Sequence, residues 1–64
     1  MKKKTKINNI GDMVQIKKGM PRWGEVGTLV KFEYLPVPEI WAWLIEFDNG
    51  EKGYYGLDKF FPKN

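Results

Sequence analysis

An all-β fold, a small antiparallel barrel of about five short strands, is what this 64-residue sequence predicts. Three observations lead there. Apolar and polar residues alternate with a period of two in Met13–Lys17, Thr28–Tyr34 and Ile40–Phe47. Turn-forming residues separate these runs, with Asn49-Gly50 the clearest case. No stretch carries a convincing helical period.

The elements follow in order. Residues 1–9, MKKKTKINN, have no apolar period and read as a flexible basic arm, leaving residues 10–64 as the barrel domain. Val14 and Ile16 give the first strand one buried face. Lys18 to Glu25, dense in Gly and Pro, is a loop too long for a tight hairpin. Gly27 opens the second strand. In it Thr28, Val30, Phe32 and Tyr34 are expected on one face, and Leu29, Lys31 and Glu33 on the other. Pro36 and Pro38 remove two donors and end it. The third strand puts Trp41, Trp43, Ile45 and Phe47 on a single, mostly buried face. Asp48 to Glu51 predicts a type I′ hairpin turn into a fourth strand, Lys52 to Tyr55. Leu57 to Pro62 reads as one tight turn of 3₁₀ character and then a short last strand or tail.

So short a chain buries only about 60% of its unfolded surface. It has no Cys and no His, so neither a disulfide nor an ordinary metal site staples it. Three Trp, three Tyr and four Phe must supply much of the packing. The same absences weaken catalysis, since the commonest general base and the strongest nucleophile are missing. Glu46, Asp48 and Glu51 flank one turn and read as solvated hairpin acids. No phosphate loop or dinucleotide fingerprint occurs. We expect no enzyme, no cofactor and no metal. No apolar run approaches the ~20 residues of a membrane span. No secretory signal pattern precedes the strands, and a cytoplasmic, monomeric protein is expected.

The formal net charge is +3, unevenly spread. Residues 1–22 carry +6 and residues 23–64 carry −3. An anionic partner for the first third follows, unless the arm is only a solvated tail. Lys2, Lys3, Lys4 and Lys6 would supply phosphate attraction. Lys17, Lys18, Arg22 and Trp23 would supply loop contacts, cations for phosphates and an aromatic for an unpaired base. Alternatively Trp23 folds back as a lid over one barrel end. A protein-docking surface is the competing reading, built from Tyr34, Trp41, Tyr54, Tyr55 and Phe60 with Arg22 as a carboxylate fork. Neighbours in a strand face opposite ways, so one of Tyr54/Tyr55 should be exposed. These rings would otherwise pack at the barrel edge against the loop prolines.

"DMVQIKKGMPRWGEVGTLVKF" resembles the KOW motif, found in SH3-like barrels of ribosomal proteins and transcription elongation factors. The similarity rests on Val14, Ile16, Gly19, Gly27 and Leu29. "WLIEFDNGEKGYYGLDKFFP" resembles the closing half of such a barrel, so the likeness runs over roughly residues 10–62. It implies an SH3-like barrel that binds nucleic acid, or a ribonucleoprotein or transcription machine. Trp23 to Thr28 is also similar to a second SH3-like group, peripheral photosystem I subunits that dock ferredoxin. The competing protein-adaptor reading, through the aromatics and Arg22, would make the chain an accessory subunit or a phage-like modulator of a host machine; small size and the lack of catalytic chemistry suit either. The scaffold is reused too widely to fix the role by itself.

Overall fold

The structure is a computed structural model and describes residues 8–63. The arm's four lysines lie outside the described residues. Its last residue, Asn9, is already part of the folded unit: its N–H donates to Asp12 Oδ2 at 2.9 Å and its carbonyl accepts from Asp12 N–H at 3.0 Å.

Five strands form one antiparallel sheet: β1 (Met13–Ile16), β2 (Val26–Leu35), β3 (Ile40–Phe47), β4 (Lys52–Gly56) and β5 (Phe60–Pro62). Their order across the sheet is β4-β3-β2-β1-β5, so β2 is the central strand. The all-β class and the five short antiparallel strands are as the sequence predicts. The last strand is real: β5 returns to pair with β1, Gln15 opposite Phe61 and Ile16 opposite Phe60. The turn before it holds one i→i+3 bond, Lys59 N–H to Gly56 O at 3.1 Å, and goes no further toward a helix.

The β3–β4 turn differs from expectation. A type I′ turn needs positive φ at both central residues, but only Gly50 has it, at 88°. Gly50 N–H donates to Phe47 O at 2.9 Å, which makes a type I turn followed by a left-handed glycine. The Asn49 side chain explains the choice. Its Oδ1 accepts from Glu51 N–H at 3.0 Å, a local bond that holds Asn49 in the turn.

The two faces of β2 also differ from the simple alternation. A β-bulge between Leu29 and Lys31 inserts Val30 without a partner. Before the bulge, Leu29 pairs with Ile45 and is fully buried. After it, Phe32 pairs with Trp43 and Tyr34 with Trp41, so the even positions take over the inward face. One extra residue therefore exchanges the faces of everything beyond it.

The core is Val14, Ile16, Leu29 and Ile45, essentially without solvent contact, ringed by Trp43, Phe47, Tyr55 and Phe60, with Met20 packed against it. Among the described residues no polar side chain is buried. Gly27 shows how tightly β2 and β3 approach: a Cβ built there would stand 2.4 Å from Ile45 Cγ2 and 3.0 Å from the Glu46 carbonyl. Gly27→Ala should therefore lose about 1–3 kcal/mol by overpacking. Urea unfolding of the full chain measures this; an unchanged midpoint would mean that β2 and β3 separate freely at that pair.

Candidate binding surfaces

The loop from Lys17 to Glu25 is a compact series of turns. Ile16 N–H donates to Glu25 O at 3.0 Å and Gly24 N–H to Ile16 O at 2.8 Å, which closes its base. Trp23 N–H to Met20 O and Glu25 N–H to Arg22 O, both 3.0 Å, fold the interior. Tyr55 in the core donates its hydroxyl to Pro21 O at 2.9 Å and pins the loop to the sheet. Burial raises the Tyr55 phenol above its ordinary range, against a smaller opposing effect of Arg22.

Arg22 does not serve as a free cation. Its Nη1 donates to Glu25 Oε1 at 2.9 Å, its Nη2 pairs with Glu51, and the guanidinium lies 4.6 Å from the centre of the Phe47 ring. It thus closes the barrel end expected for Trp23. The reason is reach: the planar fork satisfies two carboxylates while covering an aromatic ring. Both the nucleic-acid and the protein-docking expectations gave Arg22 an external ligand; the structure commits it internally. Trp23 instead stands 60% exposed, with Lys18 Nζ 5.9 Å from its ring centre.

Lys17 and Lys18 are exposed beside it. Alternation puts Met13, Gln15, Lys17, Phe61 and Lys63 on the outer side of β1 and β5, opposite the buried Val14 and Ile16. No acid occurs in residues 13–18 or 59–63, which contain four lysines. One of these, Lys59, stands 3.7 Å from Asp58. The result is a basic strip with two exposed aromatics, Trp23 and Phe61. Sequence reasoning missed Lys63 and Phe61 because only the β1–β5 pairing sets them opposite Met13 and Gln15, on the same outer side as Lys17.

The second surface is aromatic. Phe32 stacks on Trp41, centroids 4.9 Å apart at 17°, and Tyr34 meets Trp41 at 5.4 Å and 60°. All three are about half exposed. They continue the core's inward face past the point where β4 stops covering β3, because β4 reaches only to Ala42. Tyr34 and Trp41 are thus brought together as expected. Phe32 joins them, which the bulge hid from the sequence. Tyr55 and Phe60 are buried in the core; Phe60 takes no part in this surface, and Tyr55 contributes only to the lining of the groove beside Trp41. Tyr54 is exposed; its hydroxyl donates to Glu33 Oε1 at 2.5 Å, and the residue also lines the groove beside Trp41. From Trp41 the ledge runs into a groove with Met20, Ile40, Tyr55 and Leu57 along it and Glu39 and Asp58 at its rim.

Among the described residues no group of three potential metal ligands gathers, and Glu51 of the turn acids is taken by Arg22. No family model, curated protein or solved structure matches the chain.

The Glu33–Tyr54 bond has a pH consequence. The hydrogen bond from Tyr54 holds the Glu33 carboxyl below its ordinary value of 4.5, with Lys31 at 3.5 Å adding to the effect. A lowered carboxyl contributes stability that is present above the unfolded value and lost as pH falls through the folded one. Carboxyl NMR of the wild type should find Glu33 titrating below the usual glutamate range. In Tyr54→Phe it should return most of the way; an unmoved titration would assign the shift to Lys31.

Proposed function

We propose that the protein is a non-enzymatic, KOW-like binding module that holds nucleic acid, alone or in a nucleoprotein complex, along its β1–β5 edge. The observation that carries this reading is the set of exposed Lys17, Lys18 and Lys63 on the β1–β5 side together with exposed Trp23 and Phe61, with Asp12 bordering only the Lys63 end. Cations on one line meet successive phosphates, and a free aromatic face takes an unpaired base. The folded residues 8–63 sum to −1, so the attraction is local to the strip and to the arm lysines Lys2, Lys3, Lys4 and Lys6. The resemblance to KOW barrels supports the same class of partner. Among the described residues no helix is long and apolar enough to cross a membrane. A cytoplasmic setting and a monomeric state belong to the proposal.

A second reading, a protein adaptor, is favoured by one specific observation, the half-exposed stack of Phe32, Trp41 and Tyr34. Isolated apolar side chains on a surface need no explanation, but a contiguous aromatic patch does.

The test is an NMR titration of the full chain with a short single-stranded oligonucleotide at two salt concentrations. Shifts are expected at Lys17, Lys18, Trp23, Phe61 and Lys63. Three lysine contacts predict a slope of log K against log salt of about −2 from the strip, steeper if the arm joins. Trp23→Ala should weaken binding by about 1–3 kcal/mol. Shifts confined to residues 2–6 would reduce the interaction to a basic tail, and no shifts anywhere would leave the adaptor reading.

A further inference from the structure

We propose that the groove beside Trp41 takes an extended peptide segment in which a cationic side chain is flanked by apolar ones, on a partner protein and independently of the basic strip. Four observations lead to this occupant. The lining is largely apolar: Met20, Ile40, Trp41, Tyr54, Tyr55 and Leu57 share one groove. Trp41 and Leu57 are each about half exposed and Ile40 somewhat less, so apolar anchors have surface to cover. The groove runs from the start of β3 at Ile40 and Trp41 to the β4–β5 turn at Leu57 and Asp58, so a segment crossing it touches both elements. The charged residues along it are Glu39, Asp58 and Lys59, an acidic excess of one.

The rim charge decides the class of occupant. Lys59 stands 3.7 Å from Asp58 and offsets it. Glu39 has no ionic partner among the described residues and remains the unbalanced charge. It occupies a left-handed position, φ 69°, where glycine or asparagine would be the usual choice. Its carboxylate stands at the head of β3, two residues before Trp41. A guanidinium or ammonium lying against Trp41 meets an aromatic face and a carboxylate together. A phosphate backbone entering there would meet the carboxylate first. A second copy of this chain would bring its own Glu39 rim against the first, like charge on like.

The experiment uses the full 64-residue chain and two labelled octapeptides, one alternating Arg and Leu, the other alternating Glu and Leu. Binding is followed by fluorescence anisotropy and mapped by NMR. The Arg peptide should bind, with shifts at Glu39, Trp41, Leu57 and Asp58. The Glu peptide should bind at least about tenfold more weakly, since like-charge contact disfavours it. Trp41→Ala should cost the Arg peptide about tenfold or more. Glu39→Gln, which leaves the core untouched, should erase most of the preference for Arg over Glu while leaving the fold's melting curve in place. An oligonucleotide bound at the strip should not displace the peptide, and Lys18→Glu should leave peptide binding unchanged. Equal binding of both peptides would overturn the proposal. So would shifts confined to the Glu46–Glu51 turn. Concentration-dependent groove shifts without any peptide would replace it with self-association. Apart from the oligonucleotide displacement, none of these outcomes depends on whether the β1–β5 strip binds nucleic acid.

Discussion

The unpartnered residue Val30 in the central strand sets the arrangement of everything outside the core. Up to Leu29, β2 is held between β1 and β3 and contributes its odd positions to the interior. Beyond the bulge it pairs with β3 alone, and its even positions face inward. Without that shift, Phe32 and Tyr34 would stand on the face of Tyr54 and Glu33, away from Trp41 and Trp43. Because of it, four aromatics from two strands share one face, and the core's inner surface runs on without interruption into the ledge. A bulge also bends its strand and increases the local twist, which is how a sheet of only five strands curls around eight buried side chains.

Arg22 is the second determinant, and it acts electrostatically where the bulge acts sterically. The end over Phe47 is closed by a cation whose charge is divided between Glu25 and Glu51. This joins the first loop to the β3–β4 turn, two segments 29 residues apart at Arg22 and Glu51. It also leaves Trp23 outside. The loop thus separates its two large residues by role, the cation inward as closure and the aromatic outward as an available face.

Much of this was legible in the sequence, and what was not has physical causes. The strands at 13–16 and 40–47 announce themselves because one face is apolar and the other is not. The loop at 17–25 and the turn at 48–51 follow from Gly, Pro and Asn chemistry. The bulge was not legible, since Thr28 to Tyr34 alternates well enough to read as one regular strand. Arg22's internal role was hidden because Glu51 reaches it only through the fold. Tyr55 and Phe60 were equally available to core or surface by sequence; register decided, with Tyr55 opposite Trp43 and Phe60 opposite Ile16. On the strip, Lys17 and Lys18 were visible from their loop position, whereas Lys63 and Phe61 depended on β5 returning to β1.

The distribution of charge and aromatic surface argues for two faces with separate tasks. Acids gather toward the β3–β4 end at Glu46, Asp48 and Glu51, while β1 and β5 carry none. Exposed aromatic rings occur at both, Trp23 and Phe61 by the lysines, Phe32, Tyr34 and Trp41 by Glu39. Rings left in water forgo burial that a core this small would use, and each large side chain buried is worth about 1.5–3 kcal/mol. A chain that keeps a core cluster of eight and still leaves six rings half open, Tyr54 among them, has not simply run out of interior. Stability alone would fold some of them inward or replace them with polar residues. Their placement on separate surfaces is what the two proposals share: a partner on the lysine side and a partner at the Glu39 groove would not compete for the same rings.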